Sequence, residues 1–173
     1  SGITAWFTRF DSTMIESSSV ISPCYDFTNI ERPMIGLGIR RNFDEKRDGA
    51  ALQYRIGDAG KWTHVGTSED GINWYGRDPI EGNPGGSPIG WTTKVADPTW
   101  TEARHTLDEL KGKKDVKLRI AYGSDGTANS SEGMAFDDIF IGERKRNVLI
   151  EHFANTSSPR SSEATAMINA IDL

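Results

Sequence analysis

Cysteine is almost missing from this chain. Cys24 stands alone, so no disulfide can close within the chain and no zinc site can be assembled from its thiols. Histidine is nearly as scarce. His64, His105 and His152 fall in separate strand-like segments without the short spacing of metal-binding helices, and each reads as an ordinary sheet residue. No G-x-S-x-G, H-E-x-x-H or phosphate-binding glycine loop occurs, so no common catalytic signature marks the chain as an enzyme. No apolar run approaches the length of a membrane span, and no signal peptide precedes Ser1. The chain opens in mid-pattern, with Ile3 to Phe7 already strand-like, so a fragment or a processed form is expected and export remains open. Positive charge is the minority sign: 20 Lys and Arg against 25 Asp and Glu give a net charge of −5, which disfavours nucleic acid or an anionic membrane as partner. The basic clusters at Lys111, Lys113, Lys114 and Lys117, and at Arg144, Lys145 and Arg146, lack interleaved aromatics and read as solvated turns and strand ends.

What is present is a turn-rich β pattern. The 173 residues carry 18 Gly and 7 Pro between short apolar runs, enough for one domain with a substantial core and a small remainder. Ser19 to Ser22 reads as a short strand ended by Pro23. Alternation of apolar with small or charged residues marks strands at Ile35 to Arg41, Ala50 to Ile56, Glu102 to Leu107 and Val116 to Tyr122. Gly57 to Gly60 predicts a hairpin into Lys61 to Val65. Its D-A-G-K-W sequence resembles a shortened Asp-box hairpin, and that resemblance implies a folded turn and no activity. Cys24, within S-P-C-Y-D-F, is expected to be a small core residue.

Two groups of residues invite a functional reading. Gly133 to Gly142 is a strand with Asp137 and Asp138 in its middle. Strict alternation sets Met134, Phe136 and Phe140 against Ala135, Ile139 and Ile141 and turns one carboxylate inward, where it needs backbone N–H groups, a cation or a metal. The functional reading is a structural calcium site, since that ion takes hard carboxylate oxygens; the alternative is a pair that closes a turn. The second group lies in and after the irregular segment Glu69 to Ser87: Trp74, Tyr75, Trp91 and Trp100 either offer flat faces to a sugar ring or cover the ends of the core.

After Gly142 the character changes. Asn147 to Phe153 fits one buried strand, and Ser161 to Ile171 has helical spacing at Ala164, Met167, Ile168 and Ile171. Residues 146–173 thus form a strand, a turn and a helix, too little for an independent core.

Several stretches carry a resemblance: Ser22 to Ile35, Asp48 to Tyr54, D-G-I-N-W-Y at Asp70 to Tyr75, His105 to Lys113, R-I-A-Y-G-S-D-G at Arg119 to Gly126, and A-F-D-D-I-F-I-G-E-R at Ala135 to Arg144. In this order they resemble the jelly-roll modules related to MAM and cleaved-adhesin domains of large surface proteins that leave Gram-negative cells by type IX secretion. The resemblance implies an all-β fold, a two-sheet antiparallel jelly-roll sandwich over residues 1–145 with a short C-terminal strand-helix extension. It also implies a secreted or cell-surface location, no catalysis, a glycan or surface-protein partner, and often a calcium ion at the Asp137-Asp138 strand. V-L-I-E-H-F followed by N-T-S-S-P-R-S resembles the start of a thioredoxin-like domain with Ser158 and Ser161 where two cysteines would stand. Hydroxyls cannot replace low-pKa thiols in disulfide exchange, so that resemblance implies at most the redox-inactive accessory part of a thiol oxidoreductase.

Overall fold

The computed structural model describes residues 4–8, 14–93, 98–127, 131–145 and 163. The strand-helix extension expected over residues 146–173, with His152, Ser158 and Ser161, lies outside the described residues except for Glu163.

The alternating segments become eight antiparallel strands: β1 (Trp6–Phe7), β2 (Ser17–Tyr25), β3 (Pro33–Asn42), β4 (Gly49–Ile56), β5 (Thr63–His64), β6 (Thr101–Thr106), β7 (Val116–Gly123) and β8 (Gly133–Glu143). They form two four-stranded sheets with the orders β1-β8-β3-β6 and β2-β7-β4-β5. Ile35, Leu37 and Ile39 of the first sheet and Leu52, Leu118 and Ile120 of the second belong to one buried cluster, so the sheets close face to face over a shared core. Period-two side chains explain this: on β7, Val116, Leu118 and Ile120 are buried while Lys117 and Arg119 between them are part-exposed. Beyond Ile120 the alternation in burial stops, because the Pro84–Gly86 turn covers the outer face of β4 and β7. The approach is close enough that a Cβ at Gly123 would lie 2.2 Å from the Gly82 carbonyl oxygen, so that point of the strand requires glycine.

Two irregularities depart from the sequence expectation. Pro23 does not end β2. Between Ile21, paired with Arg119, and Cys24, paired with Lys117, the register shifts, and the Ser22 hydroxyl accepts the Leu118 N–H at 3.0 Å. The side chain thereby serves as a ladder acceptor across the proline bulge. Cys24, expected in the core, is exposed on this edge strand, since the bulge resets which residues face inward. The second shift lies in β8. Gly36 pairs with Phe140 and Gly38 with Asp137, so Asp138 and Ile139 together stand opposite Leu37. Asp138 takes a left-handed conformation, φ 49°, which aspartate tolerates better than a branched residue. Strict alternation therefore fails there. Ile141 packs against the core beside the inward Met134 and Phe136, while Phe140 is exposed.

The short β5 leaves much of the β4 edge unpaired, and a side chain completes it. The Tyr75 hydroxyl accepts the Leu52 N–H at 2.8 Å and donates to the Leu52 carbonyl at 3.0 Å. Burial pushes the Tyr75 phenol far above its ordinary pKa, with the Leu52 hydrogen bond opposing, so it works as a neutral donor and acceptor. Tyr75→Phe strands a buried amide, and the expected loss is about 1–3 kcal/mol, read from guanidinium unfolding at constant m-value. Asp138→Gly should be neutral or slightly stabilising, whereas Asp138→Val should cost about 1–3 kcal/mol because a β-branched residue is forced to positive φ.

Candidate functional site

The four aromatic rings expected to meet a sugar divide between the core and the surface. Trp74, Tyr75 and Trp91 are 4%, 1% and 0% exposed, whereas Trp100 is 50% exposed. The buried three form a cluster with ring centroids 4.9 to 5.2 Å apart, Trp91 standing edge-on to both others. Their polar atoms are consumed internally: Trp74 Nε1 donates to the Val65 carbonyl and Trp91 Nε1 to that of Asn73, each at 3.0 Å. Trp91 also exchanges both backbone hydrogen bonds with Ala50, extending the second sheet by one residue beyond β5. These three rings therefore cover the end of the core in this structure, and none presents a face to a ligand. Trp100 stands apart, against the backbone of Gly38, on the outer face of the first sheet.

Asp137 pairs with that same Gly38, so Trp100 and Asp137 share one outer face. Asp137 is part-exposed and Asp138 exposed, so neither carboxylate is buried as the alternation predicted; the bulge carries Asp138 to solvent. Calcium takes six to eight oxygen ligands. Among the described residues no three His, Cys, Asp or Glu side chains gather as a metal site, and adjacent residues of a strand diverge. Asp137 and Asp138 by themselves supply at most part of such a shell.

One histidine does meet an acid. His105 Nε2 lies 3.2 Å from Asp70 Oδ2, but without hydrogen-bond alignment. The ring packs on Trp74 at 4.8 Å, its Nδ1 faces the Thr106 carbonyl, and the Gly66 and Gly71 backbones cover it.

One apolar opening was not anticipated from the sequence. A cleft of about 180 Å3 runs between the sheets along one side of the sandwich, lined by Trp6, Val20, Ile21, Tyr25, Ile139 and Ile141 with core residues at its floor. Trp6, Ile21 and Ile139 are exposed there. It lies between two strand edges. β1 pairs with β8 only at Trp6 to Phe136 and Phe7 to Ala135, so among the described residues, positions 137–143 of β8 have no strand on that side and β2 pairs only with β7. Such edges offer backbone donors and acceptors in a row. Their only sequence signal is the excess of apolar residues in β8 over what one face can bury.

Comparison with known proteins adds no family: no protein-family model matches the chain, and a search of curated proteins finds no match.

The histidine of β5 gives this region a pH signature. Burial lowers the His64 pKa below 6.5, with the nearby Pro84 and Ile89 carbonyls acting the other way and the Arg119 charge adding to the lowering. A histidine whose folded pKa is depressed stabilises the fold fully above its unfolded value, and that contribution is lost as pH falls through the folded value. The wild-type urea midpoint should therefore decline as pH falls below about 6.5, and His64→Gln should flatten the profile in that window. Asp125 and Glu143 titrate lower. Burial raises Asp125, but the Thr127 and Arg47 hydrogen bonds and the Arg47 charge outweigh it, while Arg32 and Glu31 N–H groups hold Glu143 down. Their contributions disappear only at more acidic pH, below about 4.

Proposed function

We propose that this chain is a non-catalytic binding module of a secreted or cell-surface protein, and that it grips a protein partner along the open side of its sandwich. The observation that carries this reading is the apolar cleft between the β2 and β8 edges, with Trp6, Ile21 and Ile139 at its mouth. An extended partner segment can add to a free edge through its backbone and seat alternate apolar side chains between the sheets. The strand orders β1-β8-β3-β6 and β2-β7-β4-β5 are those that a jelly-roll winding of eight strands would produce, which supports the resemblance to MAM-like and cleaved-adhesin-like modules. The surface setting and type IX export rest on that resemblance alone. Trp100, with one face free beside Asp137, supports a glycan as the second kind of partner. A calcium ion at Asp137 and Asp138 would need oxygen ligands from outside the described residues.

Photo-crosslinking groups placed at Ile21 and Ile139, with exposed Ile72 as control, test the reading on the protein in the secreted and surface fractions of its source cells. One defined protein crosslinked from both cleft positions and not from Ile72 is the expected result. Absence of that product, together with glycan-array binding lost in Trp100→Ala, would transfer the function to the glycan. Turnover of a glycan or peptide substrate by the purified chain would overturn the non-catalytic reading.

A further inference from the structure

The outer face of the second sheet carries a cluster of cations that is only partly neutralised among the described residues. On β4 and β7, Arg55 is paired directly with Lys117, and Gln53 with Arg119. Like charges directly opposite on a sheet are destabilising, and here they occur in a chain of net charge −5. One carboxylate serves the group. Asp58 lies 3.3 Å from Arg55 and 2.8 Å from Lys117, and no ion pair reaches Arg119 among the described residues. Arg119 is nonetheless half-buried, and burial first and the Arg55 charge second depress its pKa, as expected for a guanidinium held without a counterion.

The cluster is also held in place. Arg119 Nε donates to Gln53 Oε1 at 2.8 Å, and Gln53 Nε2 is fixed by the Gly85 carbonyl and His64 Nδ1, each at 3.1 Å. Gly85 is required at that contact: its φ is +69°, and a Cβ there would lie 2.4 Å from Gln53 Oε1. The Trp62 ring lies against both guanidiniums, 4.9 Å from Arg55 and 4.3 Å from Arg119, which orients them by cation–π attraction. With Nε turned inward, the two terminal nitrogens of Arg119 remain as a planar fork without a protein acceptor among the described residues.

We propose that Arg119, Arg55 and Trp62 form a binding site for the carboxylate or sulfate groups of an acidic polysaccharide. A guanidinium fork matches either anion through paired, charge-assisted hydrogen bonds, and an adjacent indole suits a sugar ring. An acidic peptide fits less well. At the site β7 lies between β2 and β4, and β4 is paired with β5 at Gln53 and Tyr54, so a peptide finds no long free backbone edge there and recognition falls to side chains. Of the three residues only Arg119 also lines the β2–β8 cleft, and the anion site does not depend on what that cleft binds.

Binding of the intact chain to polygalacturonate, dextran sulfate, neutral dextran and poly-glutamate, measured by calorimetry at low salt and again at about 0.5 M salt, tests the proposal. The two acidic polysaccharides should bind and neutral dextran should not, with affinity falling as salt rises; the stronger of the two identifies carboxylate or sulfate as the natural group. Arg119→Ala should weaken binding roughly tenfold or more, and Arg119→Lys, which keeps the charge and loses the fork, should recover only part of it. Lys113→Ala with Lys114→Ala, exposed lysines elsewhere, should leave affinity unchanged. Should Arg119→Ala lose its near-ultraviolet circular dichroism, the Arg119→Lys result decides. No binding to either acidic polysaccharide, equal binding to neutral dextran, or equal loss in the lysine pair would overturn the site. Poly-glutamate bound as tightly as polygalacturonate would overturn the saccharide assignment.

Discussion

Burial of two rows of branched aliphatic side chains against each other is the interaction from which the rest of this molecule follows. Ile35, Leu37 and Ile39 meet Leu52, Leu118 and Ile120 across the gap between the sheets. Each side chain so removed from water contributes about 1.5–3 kcal/mol, and no disulfide adds to the total within this chain. Because a strand's side chains alternate, committing one row inward commits the next row outward. Arg55, Lys117 and Arg119 thereby come to lie together on the second sheet, and Gly38 under Trp100 on the first. The surfaces to which we assign binding are thus consequences of how the core is filled.

The ends and sides of the sandwich are treated differently. At one end Trp74, Tyr75 and Trp91 seal the core: the Tyr75 hydroxyl takes the Leu52 amide that short β5 leaves open, and the two indole N–H groups donate to the Val65 and Asn73 carbonyls. Along the β2–β8 side no comparable cover is present among the described residues, and isoleucine and tryptophan side chains reach solvent. The bulge at Asp138 contributes to this opening. By inserting one residue it turns Ile139 and Ile141 toward the cleft and Phe140 away from it, so three large apolar residues stand on both sides of an edge.

The two proposed surfaces call on different physics. The cleft offers backbone hydrogen bonds and apolar volume, which suit an extended protein segment and change little with salt. The Arg55–Arg119 face offers charge held by an indole and a fixed amide, which suits an anion and weakens as salt screens it. A module bearing both can join a protein to an acidic matrix.

Reading the sequence alone determined the all-β class and the positions of β3, β4, β6, β7 and β8, because period-two alternation is a local property and each strand carries it in its own residues. Only the tertiary structure decided where that periodicity breaks. The bulges at Ser22–Pro23 and Asp138–Ile139 depend on what the partner strand presents; Cys24 is exposed where its apolar setting had suggested the core, and Asp137 and Asp138 both reach solvent where alternation had turned one of them inward. The fate of the aromatics was likewise non-local: Trp74 and Trp91 are buried by an end of the core built from several strands, whereas Trp100 meets only the bare backbone of Gly38. The cation cluster was invisible in one dimension for the same reason. Arg55 and Arg119 are far apart along the chain, and only the antiparallel pairing of β4 with β7 makes them neighbours.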